Sequence, residues 1–204
     1  MFIQNLRALT AECHKQLETN KLSLALLSDH VNESIYHNYL IRLYGFVKGF
    51  EQFMYPILPP HFKNVSERKK AHFIEEDLEN YGAAYNKNTF LSESFFKETY
   101  PDIYGAAGAL YVLEGSTLGG QIIVKHLQKK LTSGFVNSAY FAAYKQKTGS
   151  MWKEFLQQLT TLPPSVLEEK QIIAGAIITF RIIDGLLNDN PQTFTTYEHR
   201  KYHK

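Results

Sequence analysis

Five glycines fall between residues 105 and 120, at Gly105, Gly108, Gly115, Gly119 and Gly120, inside a segment whose apolar pattern is otherwise helical. A glycine inside a helix costs about 1 kcal/mol against alanine, so something must offset the run. Close approach of a second helix is one answer, because Gly115-x-x-x-Gly119 lets two backbones come together. A broken helix is another. The third is a flat ligand laid against bare backbone, with the helix bent to meet it. The spacing by itself leaves all three open.

The rest of the chain reads as helices too. Residues 4–19 carry Leu6, Leu9, Cys13 and Leu17 at i, i+3, i+4 spacing. Asn32 is placed to cap a helix running to Tyr55, ended by Pro56. Ser66 is placed to cap a third helix reaching Tyr81, before Gly82. Residues 86–100 read as a loop with a short helix, and Pro101 opens a long helix to Leu131. Ser138 to Leu162 reads as another, with a break at Gly149, and Ser165 caps a last helix to Asn188. No strand hairpin and no internal repeat shows in the pattern. The expected fold class is all-α, one multihelical domain over residues 1–190, followed by a basic, His-rich tail over residues 191–204.

Composition removes several function classes. With 22 basic and 20 acidic residues the net charge is +2, too balanced for nucleic acid as the main partner. The single cysteine, Cys13, forbids an intramolecular disulfide and fits a reducing cytoplasm. No signal-peptide pattern opens the chain. The most apolar stretch, Ile172 to Ile183, is interrupted by Arg181 and is too short to span a bilayer. The expectation is a soluble, cytoplasmic protein without a membrane span. The paired Glu-x-x-His signature of carboxylate-bridged metal sites is absent, and Glu75, Glu76 and Glu79 near His72 read as a solvated face.

His14 is the candidate ligand. A lone histidine on a helix is more often structural, but two neighbours share its face. Arg7 stands two turns earlier, roughly 10 Å along the axis at 1.5 Å per residue, and Glu18 stands one turn later. Such a face supplies a neutral imidazole for a haem iron, a cation for a propionate, and a carboxylate to fix the imidazole tautomer. The plainer alternative is that Glu18 merely pairs with a nearby cation. Cys13 lies about 100° round the helix, on the apolar stripe, and reads as a packed small residue.

These residues carry a family resemblance. LRALTAECHKQLE (Leu6 to Glu18) resembles the proximal helix of haem oxygenases, where a basic residue, a threonine, the ligand histidine and a glutamate fall at the same offsets. ALYVLEGSTLGGQ (Ala109 to Gln121) is similar to their glycine-rich distal helix, especially in bacterial members associated with bacteriophytochromes. The resemblance implies a helical fold with haem sandwiched between these two helices. It implies that haem, O2 and external electrons give biliverdin, carbon monoxide and iron, the haem being cofactor and substrate at once. His14 would ligate the iron, and Gly115 and Gly119, with Gly120 beside them, would let the distal helix lie against the ring. Arg7 would bind a propionate, and Lys153 matches a second basic propionate position. Tyr111, one turn before Gly115, would touch the haem edge or a propionate, although it sits one position from the familiar family tyrosine. Ferredoxin or a flavin reductase would supply the electrons.

One departure stands out. Many family members have an aspartate directly after the first distal glycine, where it orders the water that delivers protons. This chain has Ser116, which holds water but cannot be an anionic acceptor at neutral pH. Glu114 is turned about 100° from Gly115 and does not simply inherit that role. Two alternatives follow: a haem carrier or sensor that leaves haem intact, and a protein of related shape without haem, such as a thiamine-degrading enzyme or an interaction module. Cys13, the only thiol, is a poor nucleophile in an apolar setting.

Overall fold

The computed structural model describes residues 2–60, 62, 66–80, 82–131, 138–163 and 165–188. Among the described residues there are eight α-helices and no strand: α1 Phe2–Glu18, α2 Lys21–Leu26, α3 Glu33–Phe53, α4 Ala71–Asn80, α5 Glu93–Thr99, α6 Ile103–Lys130, α7 Thr148–Thr161 and α8 Val166–Asn188. Residues 191–204, the expected tail, lie outside the described residues.

Local signals start most of these helices. The Asn32 side chain accepts from Ile35 N, Ser92 from Phe95 N, and Asp102 from both Tyr104 N and Gly105 N. Ser165 Oγ accepts from Leu167 N at 3.2 Å. A short helix, α2, was not expected; Asn20 caps it and also donates to Asp184 on α8, tying the end of α1 to the core.

Two starts differ from the pattern, both for tertiary reasons. Ser66–Arg68 forms a 3-10 turn and α4 begins only at Ala71. The Glu51 carboxylate, reaching across from α3, accepts the backbone N–H groups of Lys70 and Ala71 and so caps α4 from outside its own segment. Residues 138–144 are turns rather than helix, and α7 begins at Thr148, so Gly149 opens α7 instead of breaking it. Asp77 on α4 accepts from Ala139 N and Tyr140 N at 2.8 and 2.9 Å, which satisfies these groups outside a helix.

α8 is the centre of the fold, with α6 and α1 both packed on it. By length and composition α8 could cross a membrane, being longer than the apolar stretch that the sequence marks out. Its buried residues, among them Ile172, Ile173, Phe180 and Ile183, instead face neighbouring helices, as in a core helix. The α6–α8 crossing is close: a Cβ at Gly108 would collide with the Ile172 carbonyl, and one at Gly175 with the Gly105 carbonyl. Helix α6 runs unbroken through its glycines, and Gly108 serves this packing, while a Cβ at Gly105 would meet only Tyr100 and Asp102 at ordinary contact distance.

Candidate active site

The proximal wall is α1. It buries Phe2, Leu6 and Thr10, while Leu9, expected on the apolar stripe, is exposed and Cys13 is half-buried against the core. His14 projects from the open face with 59% of its side chain exposed. Its Nδ1 lies 3.5 Å from Glu18 Oε2, and its ring stands edge-on to Phe180 of α8 at 5.7 Å between centroids. With Nδ1 turned to the carboxylate, Nε2 is the ring's remaining ligating atom. Arg7 is exposed two turns earlier.

The distal wall is α6, where the remaining glycines divide. A Cβ at Gly120 would stand 2.7 Å from the Phe141 carbonyl, so Gly120 seats the 138–144 turn against the helix. A Cβ at Gly119 would meet nothing within 4 Å, and one at Gly115 only the Trp152 ring at 3.6 Å. Next to this bare backbone, Leu118 and Ile122 are large apolar side chains left 41% and 66% exposed. Bare backbone flanked by uncovered apolar side chains is a surface made for a flat apolar ligand, and it fits a haem face. Ser116 is exposed and its Oγ donates to the Leu113 carbonyl at 2.8 Å, while Tyr140 is buried and burial drives its phenol far above the usual range.

Tyr111 joins the two walls. It is buried on α6, and its hydroxyl faces Thr10 and Arg7 of α1. Burial pushes the phenol up, while Thr10 and Arg7 pull it the other way. Lys153 is exposed on α7, directly after Trp152. Among the described residues no group of three or more His, Cys, Asp or Glu side chains is arranged to hold a metal ion. Glu75 is held by Lys48 and Tyr44, and Glu79 by Lys87 and Tyr85, so these carboxylates have structural partners.

Comparison with known proteins decides the family, because the heme oxygenase family model matches residues 1–189. The chain is a member of the haem oxygenase family. No curated protein matches it closely enough to count as a relative. Its fold is shared with three bacterial haem oxygenases of known structure. The enzyme from Leptospira interrogans superposes with a TM-score of 0.77 at 19% identity, covering 92% of this chain and 98% of that one. A haem complex from the cyanobacterium Synechocystis gives 0.73 at 19%, covering 98% and 97%. The NO- and CO-bound enzyme from Neisseria meningitidis gives 0.76 at 23%, covering 96% and 92%.

In this haem oxygenase the carboxylate beside the first cleft glycine points inward. Glu114 is fully buried and paired with Arg68 and Lys70, and the Tyr144 hydroxyl donates to its two oxygens at 2.8 and 3.1 Å. Lys70 Nζ also donates to the Arg68 carbonyl at 2.9 Å, and Arg68 to the Met151 carbonyl at 3.3 Å. Burial, followed by the Glu114 charge, drives the Tyr144 phenol far above its usual range. The cluster clamps α6, the 66–70 segment and α7 together immediately behind the distal glycines. Sequence reasoning missed it because Arg68 and Lys70 sit in the highly charged run SERKK, which reads as surface. It also missed Trp152, Tyr140 and Phe180, whose positions carry no local signal.

Proposed function

We propose that the cleft between α1 and α6 is where this haem oxygenase opens haem to biliverdin, carbon monoxide and Fe2+, with O2 and electrons from an external donor of the ferredoxin or flavin-reductase class. The observation that carries this is that α1, with His14 exposed, and α6, with bare backbone at Gly119, both pack on α8. Haem, when bound, supplies the iron and its redox chemistry.

The chain's own residues supply position, protons and exclusion of water. His14 Nε2 would hold the iron, and Glu18, 3.5 Å from Nδ1, would fix the imidazole tautomer. Arg7 and Lys153 pair with the propionates. The backbone at Gly115 and Gly119 lets α6 lie against the ring, and Leu118 and Ile122 cover its apolar face. Ser116 Oγ, which donates to the Leu113 carbonyl, would keep its lone pairs for a water in place of the usual carboxylate. Tyr111 acts indirectly, by holding Arg7 and Thr10 against α6. Gly120 likewise acts through the Phe141 turn that carries Tyr140. The single thiol is consistent with a cytoplasmic setting.

The test is an absorbance titration with haemin, then reduction by ascorbate or a reductase system in air. A one-to-one Soret band that gives way to the broad red band of biliverdin is expected. Ser116 favours a second reading, a haem carrier or sensor, which predicts a Soret band that persists under the same conditions. No saturable Soret change sinks both.

A further inference from the structure

Trp152 is the only tryptophan in the chain, and nothing in the α1 and α6 motifs points to it. It stands half-buried on α7 with its ring edge over the α6 backbone at Gly115. Its Cη2 and Cζ3 atoms lie 3.6 and 3.8 Å from the position a Gly115 Cβ would take. On one side its ring is 5.5 Å from that of Tyr111, whose hydroxyl reaches Thr10 and Arg7 on α1. On the other it stacks on Phe155 at 5.7 Å, and Phe155 is buried against Phe62 and beneath the Arg68 guanidinium. Arg68 is held by Glu114, the residue before Gly115. Trp152 and Tyr111 thus form a continuous wall from the distal glycine to the proximal helix, backed by core aromatics and a buried ion pair.

Two faces and one axial ligand leave a flat macrocycle free to rotate about the iron–His14 axis. Only contacts at the ring's edge can stop that rotation. A flexible cation such as Lys153 attracts a propionate without defining an angle sharply, because an exposed long side chain follows its partner. A rigid indole wedged between Tyr111 and Phe155 does not follow. We propose that Trp152 is a specificity-determining residue: its indole abuts the haem edge beside Gly115, fixes the in-plane rotation of the ring, and so selects which meso carbon is oxidised. The proposal rests on the haem reading above.

The experiment compares the native chain with Trp152→Ala and Trp152→Leu. Two readouts are used: proton NMR of the haem methyls in the ferric cyanide complex, and the biliverdin isomers separated after turnover. The NMR readout needs no activity. Removing one aromatic edge contact should raise the minor-to-major ratio of haem settings about three- to tenfold, and the isomer ratio should follow it. The leucine variant, which keeps apolar volume, should shift both in the same direction and by less. It carries the test if far-UV circular dichroism shows the alanine variant unfolded. A Soret band of native affinity with an unmoved methyl pattern and unmoved isomers, in whichever variant folds, overturns the proposal alone. Absence of a Soret band in the native chain overturns the haem reading and takes the proposal with it.

Discussion

Replacing Gly119 by alanine should move stability and haem affinity in opposite directions. The position is helical, exposed, and faces open space: a Cβ there meets nothing within 4 Å. In the ligand-free chain the substitution therefore carries only the helix-propensity difference, a gain of about 0.8–1.0 kcal/mol. For a chain of this size that raises Tm by roughly 2–4 °C. With haem present, the added methyl occupies the space the ring needs. Overpacking by one methyl costs about 1–3 kcal/mol, or roughly a 5- to 150-fold loss of affinity. Gly108→Ala is the control, because its Cβ would strike the Ile172 carbonyl, which is backbone and cannot swing away. That variant should lose stability by about 1–3 kcal/mol in the ligand-free state, with proportionately less effect on haem affinity in the protein that remains folded. The assays are thermal unfolding of the ligand-free chains by circular dichroism and haemin titration at the Soret maximum. A Gly119→Ala variant that is less stable than the native chain would show that Gly119 is packed. One that is more stable and binds haem equally well would show that the ring does not approach this backbone.

Other consequences are as direct. His14→Ala should abolish the native Soret spectrum while leaving thermal unfolding nearly unchanged, since the ring is largely exposed; an unaltered Soret maximum and affinity would remove His14 as ligand. Glu114→Gln leaves Arg68 and Lys70 buried without their counter-charge and should cost about 3–5 kcal/mol in urea unfolding, whereas a loss under 1 kcal/mol would mean that the cluster does not brace the distal helix. Burial raises Glu51 above the usual glutamate value of 4.5, and the Lys70 and Ala71 N–H groups only partly offset it. The folded state then holds this proton to higher pH than the unfolded state, so the Glu51 contribution to stability should decline as pH rises from about 4.5 through the raised native value. Glu51→Gln should flatten that part of the urea-midpoint profile between the two values, and an identical slope in both proteins would refute the assignment.

Much of the fold was legible locally. A helix cap is decided by atoms within three or four residues, so Asn32, Ser165 and the periodicity of α1 and α3 could be read directly. His14, Arg7 and Glu18 share a face because helical geometry dictates it, and the structure places His14 Nδ1 beside Glu18. The glycine run announced an exceptional helix. Which glycine does what was not legible, because a Gly-x-x-x-Gly spacing is the same whether a helix, a turn or nothing at all lies opposite. Only the tertiary structure sends Gly108 to α8 and Gly120 to the Phe141 turn, and leaves Gly119 bare.

The same reason explains the misplaced helix starts and the unseen residues. The carboxylate that starts α4 comes from Glu51 on α3, and the one that holds residues 139–140 out of a helix comes from Asp77 on α4. Arg68 and Lys70 are surface-like in sequence and become core because Glu114 lies across from them. The chain's local chemistry determined that it would be helical and that one histidine face and one glycine-rich helix would matter. Where backbone stays uncovered, which charges go inside, and which aromatic edge closes the cleft were decided by contacts between segments distant in the chain, which no local pattern encodes.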